Sequence, residues 1–172
     1  MALIRNGALA RDSFKNAAGR SELPDHGAVL VGLDQWREHR DPLLRRGERL
    51  GLLLLSDQHP EAIAADVHYF DLIALEFPGF RDGRAYSYAR LLRERFKFTG
   101  ELRAVGDVLL EQLHYMHRVG FNSFDLDSGQ PLEEWKTAAG EFSVWYQPTA
   151  DGRATATELR HWQNNRLRAT AM

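Results

Sequence analysis

The sequence predicts an α/β fold built on a mainly parallel sheet, either open or half-barrel-like. Short apolar runs alternate with charged, amphipathic stretches between residues 28 and 147. The runs are apolar at consecutive positions, which is typical of strands buried on both faces. Their alternation with helices predicts right-handed βα crossovers. Four or five such units are too few for the usual closed barrel, so we expect an open sheet or a half-barrel that a homodimer completes.

The first 27 residues predict a β-hairpin followed by a connector. Asn6-Gly7 is a dipeptide that favours a tight turn between two short strands. Residues 15–27 are polar and contain glycine and proline, as loops do. We expect no secretory signal, because this end lacks a long apolar segment before a cleavage site. The longest apolar run, residues 52–55, is far shorter than the ~20 residues of a membrane span.

The α/β core is expected over residues 28–147. Its strands are predicted at 28–33, 50–55, 72–77, 102–106 and 121–126, and its helices at 34–46, 60–70, 84–98, 108–119 and 131–139. Pro60 and Pro131 suit the first turns of two of these helices. Trp36 and Trp135 are expected to pack helices onto the sheet.

The C-terminal part departs from this alternation. Residues 142–147 are rich in aromatic and β-branched side chains, which predicts an edge or antiparallel strand at the end of the core. Trp145 and Tyr146 on that strand would suit a subunit interface, where aromatic residues are enriched. Residues 148–172 are expected to form a tail, in which residues 158–168 can form a last helix.

The composition excludes several classes of function. The chain of 172 residues is 44% hydrophobic and 27% charged, which is ordinary for one globular domain. It has no cysteine, which excludes disulfides, thiolate-bound metals and cysteine nucleophiles, and fits a reducing compartment. A net charge of −2 gives no global attraction to nucleic acid or to an anionic membrane. The sequence contains no P-loop, Gly-x-Gly-x-x-Gly or Gly-x-Ser-x-Gly motif, and we expect no cofactor.

The strongest candidate site lies where the third core strand ends and the next helix begins. Ligands of parallel sheets bind beyond the carboxyl ends of the strands. The start of a helix also offers free N–H groups to an anion. Arg81 and Arg84, on either side of Asp82-Gly83 at that helix start, would suit a small oxyanion or a carboxylate. In the alternative interpretation, Asp82-Gly83 is a turn and Asp82 or Ser87 caps the helix.

Three further residues are expected to join Arg84 and Asp82 in one pocket. Glu76 and Asp107 end consecutive strands, which are usually neighbours in space, and Arg84 begins the crossover between them. Arg103 lies inside a strand, where a buried guanidinium needs a carboxylate partner or a bound anion. The alternative is a network of arginines and carboxylates that only fastens the loop.

The stretch from residue 81 to residue 103 is basic within a chain that is acidic overall. It carries seven basic residues and three acidic ones. This asymmetry would suit an acidic ligand or partner, so Arg90 and Arg93 are also candidates for the pocket. In the alternative interpretation they lie on a solvated helix face, with pairs such as Arg90–Glu94 that each stabilise the helix by about 0.3 kcal/mol.

Two other constellations contain metal-ligating residue types, but we expect no metal site. Four carboxylates fall at or near the ends of predicted strands: Asp57, Glu76, Asp107 and Asp125. Carboxylates at such ends can bind magnesium, but they also cap helices. Glu111 and His114 lie one helical turn apart, as in di-iron bundles, but those bundles need two such motifs on facing helices.

Several motifs resemble one bacterial family. They are Asp82-Gly83-Arg84 with Tyr86-Ser87 and residues 89–93, then residues 100–109, then Gln112, then Arg118-Val119-Gly120-Phe121. Over roughly residues 28–147 the chain resembles the bacterial domain-of-unknown-function family number nine hundred and thirty-four. Members of this family are commonly labelled probable oxidoreductases involved in sulfite reduction. Their genes typically lie beside those for sulfite reductase and for the reductase that acts on activated sulfate.

The resemblance implies a cytoplasmic role in assimilatory sulfur metabolism, without implying a reaction or catalytic residues. We therefore expect an accessory protein of sulfite reduction that binds sulfite reductase, another sulfur-assimilation enzyme or a small anion. One alternative is a small α/β enzyme whose strand-end site acts on an anionic substrate. Another is a purely structural subunit of a sulfur-assimilation complex. Because the sequence has no cysteine, no dinucleotide-binding fingerprint and no obvious pair of haem ligands, we expect the purified protein to carry no chromophore.

Overall fold

The structure is a computed structural model that describes residues 2–162. One eight-stranded sheet has the spatial order β2-β1-β8-β7-β6-β5-β4-β3. The strands are β1 (Ala2–Arg5), β2 (Ala8–Ala10), β3 (Lys15–Asn16), β4 (Val29–Gly32), β5 (Leu50–Leu54), β6 (Leu72–Phe77), β7 (Glu101–Gly106) and β8 (Ser123–Leu126). Strands β3 to β8 are parallel, and β1 is antiparallel to both β2 and β8. The predicted mainly parallel α/β fold with an N-terminal hairpin is confirmed.

The hairpin turn lies at the predicted dipeptide. Asn6 and Gly7 have φ values of 51° and 80°. Positive φ at both central residues is the requirement of the tight turn that matches the twist of the flanking strands. The Asn6 N–H also donates to the carbonyl of Asn122 at 2.8 Å, which fastens the turn to the loop before β8.

The sheet curls into a half-barrel because its two edge strands are joined by a short segment. Laid flat, eight strands would place β2 and β3 about 34 Å apart. The chain from Ala10 to Lys15 reaches about 18 Å at most. Residues 11–14 therefore cross the concave side of the sheet, where Phe14 is buried with Leu30 and Leu72.

The helices cover the other, convex side. They are α1 (Leu33–Arg45), α2 (Arg84–Glu94), α3 (Leu113–Arg118), α4 (Pro131–Gly140) and α5, described over residues 156–162. Trp36 of α1 and Trp135 of α4 are buried in this layer, as the sequence predicts. Trp135 lies against Phe124 of β8, with ring centroids 4.8 Å apart. None of the described helices has the length and apolar character needed to cross a membrane.

The helix predicted at residues 60–70 is wrong. Two 3-10 turns, Pro60–Ile63 and Val67–Tyr69, take its place. The break between them lies at Asp66, whose carboxylate accepts hydrogen bonds from Trp36 Nε1 (3.1 Å) and Arg40 Nη2 (3.0 Å). These contacts hold Asp66 against α1. A continuous helix over residues 60–70 would place Asp66 away from Trp36 and Arg40.

Two other predicted helices are shorter than expected. The helix predicted at 108–119 begins as a 3-10 turn, Leu110–Gln112, because Leu109 before it is in an extended conformation. The helix predicted at 84–98 ends as α2 at Glu94. Its chain turns back at Lys97, whose φ is +56°, and this buries Phe98.

The C-terminal edge strand predicted at residues 142–147 is wrong. Its only ladder contact among the described residues is a single bridge between Trp145 and Thr155. The edge beside β8 is instead occupied by β1, which leaves no open ladder there. The predicted last helix is present as α5, and its continuation over residues 163–168 lies outside the described residues.

Candidate functional site

Arg84 lies at the carboxyl ends of β5 and β6, where the sequence places it. It is the first residue of α2, and Asp82 accepts hydrogen bonds from its backbone N–H (3.2 Å), its Nε (2.9 Å) and its Nη2 (2.5 Å). Its Nη2 also donates to Ser56 Oγ, just beyond β5, at 3.0 Å. The guanidinium is therefore directed toward the strand ends.

Ser56 is the residue that connects this group. It is buried, its N–H donates to Glu76 Oε2 at 3.4 Å, and its carbonyl accepts from the Tyr88 hydroxyl at 3.3 Å. We define the strand-end cluster as Ser56, Glu76, Asp82, Arg84 and Tyr88. Sequence analysis missed Ser56 and Tyr88, although Ser56 directly follows a predicted strand and Tyr88 lies one helical turn after Arg84.

The electrostatics of the strand-end cluster are those of a satisfied ion pair. The hydrogen bonds from Arg84 hold the pKa of the Asp82 carboxyl well below its usual range. The same contacts raise the pKa of the Arg84 guanidinium. Since Asp82 already neutralises Arg84, an anion arriving at this guanidinium would also meet the negative charge of the aspartate.

Arg103 does not join the strand-end cluster. It lies on the concave side of β7, where Asp12 accepts from both of its terminal nitrogens (2.8 and 3.2 Å) and Glu101 accepts from its Nε and Nη2 (3.0 and 2.8 Å). Arg5 Nη1 donates to the other Glu101 oxygen at 3.3 Å. We call these four residues the concave-side network.

The sequence predicts that a buried Arg103 needs a carboxylate partner or a bound anion. In the concave-side network, Asp12 and Glu101 are such carboxylate partners. Sequence analysis could not find Asp12 as that partner, because it lies 91 residues earlier in the chain. Burial pushes the pKa of the Asp12 carboxyl up, but the hydrogen bonds from Arg103 and from the Phe14 N–H outweigh it and hold the pKa below its usual value. The network thereby fastens residues 11–14, which cross the concave side, to the sheet.

Asp107 stands apart from the strand-end cluster. It is exposed at the end of β7, and its N–H donates to the carbonyl of Phe77 at 2.7 Å. Within residues 2–162 no hydrogen bond joins its carboxylate to Arg84 or Glu76. Of the five residues expected in one pocket, the structure thus brings together Glu76, Asp82 and Arg84 only.

Arg90 and Arg93 lie outside the strand-end cluster as well. Arg90 is exposed on α2 and pairs with Glu94 at 2.8 Å, as the solvated-face interpretation expects. Arg93 is half-buried and donates to the backbone carbonyls of Phe98 (2.6 Å), Gly100 (3.0 Å) and Gly120 (3.0 Å). Burial lowers the pKa of the Arg93 guanidinium to about 10.

The basic stretch 81–103 is therefore not one cationic surface. Four of its seven bases pair with carboxylates: Arg84, Arg90, Arg95 and Arg103. Arg93 is bound by carbonyls. Within residues 2–162 this leaves Arg81 and Lys97 without a carboxylate partner. The excess charge in the sequence is distributed over separate contacts on both ends of the sheet.

The carboxylates and histidines do not form a metal centre in the part of the chain that the structure describes. No three of them come together in a group that could hold a metal ion. Asp125 lies on the concave side of β8, where burial raises the pKa of its carboxyl. His114 of the Glu111–His114 pair accepts a hydrogen bond from Trp145 Nε1 at 2.9 Å, so its Nε2 is already engaged.

An exposed apolar strip surrounds α3. Half of the exposed large hydrophobic side chains of the described residues lie between positions 110 and 146: Leu110, Tyr115, Phe142, Val144 and Tyr146. We call these five residues the aromatic strip. The ring of Tyr115 contacts Tyr86, with centroids 5.1 Å apart, and the neighbouring His114 contacts Phe142 at the same separation. These two contacts connect Tyr115 to α2 and Phe142 to α3. From the sequence, only Tyr146 was expected at an interface.

The segment after α4, which carries three of the five strip residues, is held against α3 by buried contacts. Arg118 Nε donates to Asp151 at 3.0 Å, and both side chains are almost fully buried. The Trp145 ring lies against the guanidinium groups of Arg118 and Arg153, at 5.0 and 4.8 Å from its centroid. These contacts hold Phe142 and Tyr146 in place without a strand.

The family model described as a bacterial protein of unknown function (DUF934) matches residues 51–157. The chain belongs to this family. The match spans β5 to the start of α5, and so includes the strand-end cluster and the aromatic strip. A search of curated proteins found no match.

Proposed function

We propose that this member of the DUF934 family is an accessory protein of assimilatory sulfite reduction that works by binding sulfite reductase in the cytoplasm. The aromatic strip is the observation that supports binding to another protein. Aromatic side chains are enriched at protein interfaces, and exposed apolar patches commonly mark them. The resemblance of the sequence to proteins labelled for sulfite reduction supports the choice of partner.

The geometry supports a protein partner over a small anion at Arg84. The Arg84 guanidinium is already bound by Asp82 and Ser56, so an anion would have to displace a carboxylate. The aromatic strip is accessible to a partner, since Tyr146 is 82% exposed and Phe142 52%. Covering these side chains would remove apolar area from water, at roughly 25 cal/mol per Å².

A binding assay with matched tyrosine variants tests the proposal. Immobilised wild-type protein is expected to retain purified sulfite reductase from the same bacterium, and Tyr115→Ser to weaken this binding at least about tenfold, which corresponds to about 1.4 kcal/mol. Tyr69→Ser is the control, because Tyr69 is also partly exposed but lies away from the strip. Equal binding by both variants, or no binding by wild type, would contradict the proposal.

The strand-end cluster favours a second candidate, a small enzyme acting on an anionic substrate. The buried Ser56 hydroxyl lies between Arg84 and Asp82, at the end of the sheet where α/β enzymes place their sites. Arg84→Ala separates this candidate from a loop-fastening role. If the site is functional, melting changes little and the variant fails to restore growth of a deletion strain. If it only fastens the loop, melting falls and the folded protein still restores growth.

A further inference from the structure

A groove of about 610 Å³ opens at the amino ends of the strands, the end opposite to Arg84. Its volume lies within the range of small-molecule sites. Three permanent cations line it: Arg5, Arg49 and Lys97. Two carboxylates also line it, Asp71 and Glu101.

Both carboxylates of the groove are already engaged. Glu101 accepts from Arg103 and Arg5, as part of the concave-side network. Asp71 accepts from the backbone N–H of Leu50 at 3.0 Å. Asp71 Oδ1 also lies 3.7 Å from Arg49 Nε, a looser ion pair than the 2.5 Å contact between Arg84 and Asp82. With three cations and two carboxylates, the lining keeps a net positive charge.

Two of the cations, Arg49 and Lys97, are exposed to solvent in the groove. Arg49 lies over the ring of Phe14, 4.7 Å from its centroid, and donates to Ser13 at 3.3 Å, while its side chain remains half exposed. Lys97 has no carboxylate within ion-pair distance among residues 2–162. It occupies a left-handed backbone conformation (φ +56°) where glycine is the usual residue. Lys97 is exposed on the wall of the groove, so its ammonium group can reach a ligand there.

We propose that this groove binds a small organic molecule through a phosphate or sulfate group, which Arg49 and Lys97 hold. Both groups are tetrahedral oxyanions, which suit arginine forks and lysine point charges. The groove is larger than such an anion alone, so an organic part of the ligand would lie against Phe96 and His68, which also line it. This inference does not depend on the aromatic strip or on the identity of the protein partner.

Titration calorimetry with sodium sulfate, sodium phosphate, adenosine monophosphate and adenosine tests the proposal, at one ionic strength set with sodium chloride. Wild type is expected to bind the monophosphate more tightly than either inorganic anion, and adenosine without the phosphate more weakly than the monophosphate. The stronger inorganic anion shows which oxyanion the groove prefers. Equal affinity for adenosine and its monophosphate would overturn the proposal.

Variants locate the binding in the groove. Lys97→Gly and Arg49→Gln are expected to weaken binding of the monophosphate at least about fivefold. Arg90→Gln, which removes an exposed cation outside the groove, is the control and is expected to bind as wild type. Lys97→Gly also relieves the backbone strain, so a loss of binding by a protein at least as stable as wild type excludes unfolding as its cause. Unchanged affinity in both groove variants would overturn the proposal.

Discussion

At the scale of single residues, buried charge decides which side chains matter for stability. Arg103 and Glu101 are both nearly inaccessible to water, and each satisfies the other. Arg90 and Glu94 make an ion pair of the same length, 2.8 Å, in solvent, where such pairs contribute little. The sequence already places Arg103 inside a strand, where burial is expected, and the structure confirms that it is buried and that Arg90 is exposed.

Removing the buried guanidinium is expected to be costly. Arg103→Met should lower the free energy of unfolding by about 3–5 kcal/mol, because Glu101 and Asp12 lose the charge that compensates them. Urea denaturation measures the change. Arg90→Met is the control and should change stability by less than about 0.5 kcal/mol. A loss as small for Arg103 as for Arg90 would show that the network does not fasten the sheet.

Lys97 is a second residue at which a substitution has a predictable sign. Lys97→Gly should raise the free energy of unfolding by about 1 kcal/mol, since glycine adopts positive φ without a steric penalty. Lys97→Ala removes the same charge but keeps a Cβ, and should bring no such gain. Equal changes in melting temperature for the two variants would show that relief of backbone strain at residue 97 does not cause the stabilisation.

Stability is expected to fall in acid because of Asp12. Its pKa is lowered in the folded state, so the unfolded state binds more protons. The stabilisation is present above the ordinary aspartate pKa, about 4, and is lost as the pH falls through the lower folded value. Asp12→Asn should therefore show a flatter decline of stability between about pH 5 and pH 2 than wild type. Parallel curves would contradict the assignment.

At the scale of elements, apolar runs predicted the strands well and periodicity predicted the helices less well. The strand predicted at 72–77 has the same first and last residues as the observed β6. When a strand is buried on both faces, the ends of its apolar run mark the ends of the strand. The helix at 60–70 failed because Asp66 bonds to α1, a tertiary contact that no local pattern contains. The strand at 142–147 failed because strand propensity does not say whether a sheet edge is free.

The segment after α4 is held by side-chain contacts rather than by a strand ladder, and Trp145 makes several of these contacts. Trp145→Ala should remove the contacts with His114, Arg118 and Arg153 and loosen the segment, so trypsin should cleave after Arg153 faster than in wild type. Tyr146→Ala, a neighbouring exposed aromatic, should leave the rate unchanged. Equal rates for the two variants would show that Trp145 does not anchor the segment.

At the scale of the whole molecule, the fold separates two surfaces. The aromatic strip lies around α3 on the helix-covered side, whereas the polar groove opens at the amino ends of the strands. The half-barrel follows from βα alternation, as the sequence predicts, but its curl depends on residues 11–14 crossing the concave side. That crossing covers part of the face that a homodimer would close. The homodimer stays a prediction, which sedimentation velocity can check.

The proposed role in sulfite reduction is tested most directly by the growth of a bacterium that lacks the gene. Sulfate, sulfite and sulfide are supplied in turn as the sole sulfur source. An accessory protein of sulfite reductase predicts slowed growth on sulfate and on sulfite, normal growth on sulfide, and recovery with the wild-type gene but not with Tyr115→Ser. Normal growth of the deletion strain on sulfite would contradict the account.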